Sequence, residues 1–162
     1  MQCVLGRIKE LIITAGGENV APVMIEDHIK KELPCVSNAI VIGDKRKYLT
    51  VFLTFKVVIE TGTEKPTDTL APGAVEWCRT VGSRSTSVSE IISGPDHRVM
   101  RAIQGGIDRA NKNAVSRAAN VQKWTILPVD VSIPGGELGP TLKLKRFYFN
   151  KKYSHAIDKL YS

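Results

Sequence analysis

Three cations close a glycine-rich stretch near the end of the chain. In "GELGPTLKLKR", Lys143, Lys145 and Arg146 follow Gly136 and Gly139. If the segment is extended, alternation puts Lys143 and Lys145 on the same side. Two ammonium groups delivered by a loop can neutralise a phosphate or a carboxylate. They can equally be a solvated basic patch ahead of a helix. A second stretch, "GRIKELIITAGGENVAP", sets Arg7 and Lys9 before an apolar run and Gly16 and Gly17 after it. Glycine permits positive φ and lets a ligand approach the backbone, but a tight turn would also use it. On residue types alone, the structural reading is the better supported one in both places.

Other chemistries are excluded by what their geometry would require. There is no GxxxxGK[ST] phosphate loop and no GxSxG elbow. His28, His97 and His155 are scattered, without the spacing of a metal-binding helix. Cys3, Cys35 and Cys78 are far apart, with no CxxC pair, so no metal site is predicted. The net charge of +7 favours anionic partners: nucleotides, phosphates, acidic headgroups or nucleic acid. Aromatic residues are only 6% and no base-stacking motif is visible, which weighs against nucleic acid. No apolar run approaches the roughly 20 residues of a membrane span, and "MQCVLGRIKE" lacks the apolar core of a signal peptide. The expectation is a cytoplasmic protein, with peripheral association to the endoplasmic reticulum or other membranes left open.

The elements that must position these groups are legible from periodicity. Leu11 to Thr14 reads as a strand running into a glycine turn. Pro22 suits the first position of a helix. In that helix Ile25, Ile29 and Leu33 form a buried stripe, Glu26 and Asp27 sit in the early turns and Lys30 and Lys31 in the last, and Pro34 ends it. "SNAIVIG" and "YLTVFLTF" form an antiparallel hairpin across "DKRK". Leu49, Val51, Leu53 and Phe55 lie on one face and Tyr48, Thr50, Phe52 and Thr54 on the other. Residues 56–98, rich in Gly, Pro, Ser and Thr, read as a partly mobile surface insertion. A helix follows from about Val99 to Ala119, with Gly105 and Gly106 marking a kink or close packing. "WTILPVDVSI" reads as a strand, "PGGELGPT" as a loop, and Phe149, Tyr153, Ile157 and Leu160 as one stripe of a final helix. The fold class is α+β, a small mixed or antiparallel sheet flanked by helices.

Taken together, the two unusual stretches resemble the C-terminal domain of the adenylate-forming enzymes. The wording is closest to long-chain fatty-acid–CoA ligases of the bubblegum type. "GRIKELIITAGGENVAPVMIE" matches the hinge-and-loop motif that opens that domain, and "GELGPTLKLKR" matches the lysine motif near its end. The resemblance covers nearly the whole chain from Gly6. It implies residues 1–9 as hinge and 10–162 as the lid, with the insertion at about 56–98.

The implied reaction has two steps. ATP and a long-chain fatty acid give an acyl-adenylate and pyrophosphate, and the CoA thiol then displaces AMP. The lid adopts a different pose for each step. By the same resemblance Lys9 is the hinge, Arg7 contacts the nucleotide, and Ala15, Gly16, Gly17 and Glu18 form the CoA-channel loop. Lys143 is the catalytic adenylation lysine and also binds ATP or AMP. The usual motif has glycine before that lysine; here Leu142 stands there, which leaves Lys145 as the alternative. The N-terminal domain, with the fatty-acid tunnel and most of the Mg2+ site that accompanies ATP, is absent from these 162 residues, so the isolated chain is expected to be inactive. The competing reading is a basic module that binds nucleic acid or a protein partner without catalysis.

Overall fold

The computed structural model describes residues 11–162. The expected hinge residue Lys9 and the nucleotide-contacting Arg7 lie outside the described residues. The first glycine stretch is the tip of a miniature hairpin. Strand β1 (Ile12–Ile13) pairs antiparallel with β2 (Asn19–Val20), placing Ile12 opposite Val20. The sequence reading ran the glycine turn straight into the helix, because a two-residue strand carries no measurable period.

Helix α1 (Pro22–Glu32) then starts with proline at its first turn and buries Ile25, Ile29 and Leu33. Leu33 is extended, at φ −127°, as expected of a residue before proline. Its first turn holds no acidic residue. Glu26, read from sequence as a dipole partner, is instead a buried acceptor with specific ligands. The difference arises because its partners lie 15 and 120 residues away.

The main sheet has three strands in the order β3 (Val36–Ile42), β4 (Leu49–Phe55), β7 (Val121–Ile126). β3 and β4 are the expected antiparallel hairpin, with Ala39 opposite Leu53 and Val41 opposite Val51. β4 and β7 run parallel, which demands a long crossover, and the chain from 56 to 120 supplies it. The central strand β4 is buried on both faces. Its alternation sorts two cores: Leu49, Val51, Leu53 and Phe55 enter a large one, while Phe52 enters a smaller one with Ile40, Ile42, Leu127, Val131, Phe149 and Ile157.

The stretch 56–98 is folded. It forms the ladder of β5 (Val57–Ile59) with β6 (Pro66–Leu70), then α2 (Pro72–Thr80) and α3 (Val88–Ser93). Val57, Leu70, Ala74, Cys78, Val88 and Ile91 are buried in the large core. Two of its polar residues, which read as loop, are helix N-caps. Ser87 caps α3 by accepting from the Glu90 amide at 3.2 Å, and the Glu90 carboxylate accepts from the Ser87 and Thr86 hydroxyls. Asp96 caps the next helix through the Val99 amide and accepts from the hydroxyls of Ser83 and Ser85.

That helix, α4 (His97–Asn111), buries Val99, Ile103, Ile107 and Ala110. It ends earlier than its periodicity predicts, and Arg117–Ala119 is a separate 3-10 turn. Gly106 is the point of close approach between α4 and α1: a Cβ there would lie 2.4 Å from a Leu33 methyl. Gly106→Ala is therefore expected to cost about 1–3 kcal/mol through overpacking, read as a lowered urea midpoint, although alanine is the better helix former. Gly105, whose Cβ would meet only the flexible Arg109 side chain at 3.4 Å, should tolerate alanine.

The final stripe, predicted as one helix, is split into α5 (Arg146–Lys152) and α6 (Ser154–Tyr161) at Tyr153. Phe149 and Ile157 still share one core, so the spacing survives the break. The Tyr161 hydroxyl fastens the end of α6 to the sheet, donating to the Tyr48 carbonyl at 2.7 Å, with Arg46 stacked 4.7 Å from its ring. Among the described residues no helix is long and apolar enough to cross a membrane.

Candidate functional site

The lysine segment is a tight antiparallel hairpin. Leu138 and Leu144 form an isolated bridge. The Lys145 amide donates to the Glu137 carbonyl at 2.8 Å and the Gly139 amide to the Lys143 carbonyl at 2.9 Å. The turn closes with the Leu142 amide on the Gly139 carbonyl at 2.8 Å. Leu144 is half-buried against the smaller core, so the flanking Lys143 and Lys145 both face solvent. Neither lysine amine has a hydrogen bond or ion pair among the described residues.

Leu142 occupies the left-handed region at φ +64° and is 67% exposed. A side chain there costs roughly 1 kcal/mol relative to glycine. That conformation is the physical reason why glycine suits the position before the lysine. Leu142→Gly is expected to raise the thermal midpoint by about 2–4 °C. A lower midpoint would show that the leucine side chain stabilises the hairpin more than its backbone strains it.

A buried carboxylate locks the hairpin to the helix that follows. Glu137, 2% exposed, accepts from the Lys152 amine and the Tyr153 hydroxyl, each at 2.8 Å, and from the Ser132 amide at 3.1 Å. Burial opposes its ionisation, but the bonds from Lys152 and Tyr153 outweigh this and hold the carboxyl below the usual glutamate range. The Tyr153 phenol is pushed up by its own burial and by the same carboxylate. At the other end of α5, Arg146 grips Glu26 of α1 with both terminal nitrogens, at 2.8 and 3.0 Å. Glu26 also accepts from the Val41 amide on the edge of β3 at 2.8 Å.

The glycine loop is built differently. Ala15, Gly16, Gly17 and Glu18 are exposed. The Gly17 amide bonds the Thr14 carbonyl at 2.9 Å, and φ +82° at Gly17 makes glycine necessary there. Gly16 has no such need, since a Cβ would meet nothing closer than 3.6 Å. The loop leans on the basic β3–β4 turn: the Ala15 amide donates to the Arg46 carbonyl at 2.9 Å and the Lys45 amide to the Ile13 carbonyl at 2.8 Å. No hydrogen bond or ion pair joins this loop to the lysine hairpin among the described residues. Among the described residues, the ion pair between the helices that follow them, α1 and α5, is Glu26 with Arg146.

The model of the AMP-binding enzyme C-terminal domain matches residues 9–76. The long-chain-fatty-acid–CoA ligase ACSBG1 of Bos taurus is 53% identical over 158 residues, which are 98% of this chain and 22% of that protein. Its Homo sapiens counterpart is 54% identical with the same coverage. Over the matched residues the chain is similar to the AMP-binding enzyme C-terminal domains. The chain spans about a fifth of the length of those ligases.

Solved structures agree on the α+β fold. The adenylation domain of a carboxylate reductase from Mycobacterium chelonae superimposes with a TM-score of 0.66 at 22% identity, covering 96% of this chain and 20% of that one. The A domain of a carboxylic acid reductase from Segniliparus rugosus gives 0.62 at 19% identity, with the same coverage. None of these similarities supports the nucleic-acid-binding alternative.

Sequence reasoning marked the lysines and the glycine loop but missed what holds them. Glu137 lay within the quoted motif, yet nothing local revealed its burial. Glu26 and Arg146 lay at the ends of the two quoted stretches, and a search for opposite charges between the stretches would have paired them.

Proposed function

We propose that this C-terminal domain is the lid of a long-chain fatty-acid–CoA ligase. The observation that carries the reading is identity above 50% to such ligases along 98% of the chain. In it, ATP and the fatty acid give acyl-adenylate and pyrophosphate, and CoA then displaces AMP. The exposed Lys143 amine, on an ordered hairpin, bridges the acyl carboxylate and the α-phosphate and offsets charge developing at phosphorus. The Ala15–Glu18 loop turns toward CoA in the second step. Gly16, whose missing side chain the fold itself does not require, leaves room for the pantetheine arm. Arg7 and Lys9 would serve as nucleotide contact and hinge, and Mg2+ would travel with ATP on the N-terminal domain.

Reconstitution tests the reading. The 162 residues alone should release no pyrophosphate from ATP and a long-chain fatty acid. Adding the N-terminal domain of a matching ligase should restore release. Failure to restore it with a folded, associated pair would overturn the lid assignment.

A further inference from the structure

We propose that Arg146, held by Glu26, is a positioning residue for the adenylation lysine; the proposal rests on the lid reading above. Lys143 sits on a solvent-facing hairpin, and its amine has no partner to fix it. Its placement must come from the base of that hairpin. Two carboxylates hold the base. Glu137 ties it to Lys152 at the end of α5, a tie made within the hairpin–helix unit itself. Only the Glu26–Arg146 pair, among the ion pairs of the described residues, anchors that unit to α1.

The geometry suits positioning better than general stability. Arg146 is the first residue of α5 and three residues beyond Lys143. Its planar fork engages both carboxylate oxygens, which fixes orientation as well as distance. The side chains are 21% and 10% exposed, so water competes weakly. The Arg146 Nε is buried without a hydrogen-bond partner, a desolvation cost that a purely stabilising contact would not favour. On the other side, Glu26 is fixed by the Val41 amide of the main sheet. The lysine hairpin is thus referenced to the rigid β3 edge. The glycine loop has its own tether through Arg46 and Lys45, so it does not depend on the pair.

This separation gives a test that ordinary destabilisation would not pass. In the ligase assembled from this chain and its N-terminal domain, Arg146→Lys keeps the charge but loses the fork. It should lower kcat for pyrophosphate release at least tenfold and leave KM for ATP within about twofold. Conversion of preformed acyl-adenylate and CoA to acyl-CoA should be unchanged. Equal losses in both half-reactions, or no loss in the first, would overturn the proposal. If Arg146→Lys melts below the assay temperature, Glu26→Gln carries the test, since its amide oxygen still accepts from Val41. Lys143→Ala run in parallel separates the two ideas. Full activity in that variant would sink the lid reading itself, whereas an inactive Lys143→Ala beside a fully active Arg146→Lys would sink only the positioning role.

Discussion

On the lid reading proposed above, Lys143→Ala should slow pyrophosphate release by the assembled ligase roughly a hundred- to a thousandfold, the cost of removing one preorganised group from a developing anion. Lys145→Ala should change it by no more than a few-fold. The two lysines sit at different levels of the hairpin. The Lys145 amide is fixed at the base of the hairpin by the Glu137 carbonyl, and its stem covers Gly139, with Cε 3.7 Å from where a Cβ would be. Lys143 lies one step nearer the tip, beside the left-handed Leu142. The thioester-forming step, started from preformed acyl-adenylate, should be spared in both variants. A Lys145→Ala loss as deep as that of Lys143→Ala would reassign the role.

The largest effect on stability is expected at Glu137. Replacing it with alanine leaves the Lys152 amine and Tyr153 hydroxyl without their buried acceptor. Lys152 is 37% exposed and can turn to solvent, so the cost is that of the lost buried hydrogen bonds, about 1–3 kcal/mol, and in a chain of this size each kcal/mol moves the thermal midpoint by about 2–4 °C. The sign of the pH dependence follows from the depressed carboxyl. The unfolded chain takes up the proton at the ordinary glutamate value, near 4.3, while the folded chain resists until lower pH. The contribution is therefore complete above that value and is lost as pH falls through the folded one. Thermal melts between about pH 7 and pH 3 should show the wild type losing part of its advantage over Glu137→Ala on acidification. A constant gap would mean that Glu137 does not fold in its ionised form.

These two residues also mark where the sequence was legible. β4 could be read face by face, because alternating Leu49, Val51, Leu53 and Phe55 report a period of two that burial on either side preserves. The stripe of α1 was equally readable. The stretch 56–98 was not, because serine, threonine and aspartate serve loops and helix caps alike: Ser87 with Glu90 has the capping spacing and caps α3, while Thr61 with Glu64 has the same spacing and caps no helix. Glu137 was marked by a motif but not by its environment. Its burial depends on Lys152 and Tyr153 returning across the hairpin, 15 and 16 residues on. The break at Tyr153 escaped notice because Phe149 and Ile157 keep helical spacing through it.

The parallel pairing of β4 with β7 has a consequence for synthesis. "LTVFLTF" carries neither charge nor proline, the composition of a segment that stacks readily with copies of itself. β3 can cover one of its edges as soon as the hairpin leaves the ribosome. The other edge stays open until Val121–Ile126 has been made and the whole crossover has been threaded past. Until then a nascent chain displays an apolar strand with unpaired amides and carbonyls, a template for aggregation. Truncations that end before Val121 would leave that template permanently uncovered.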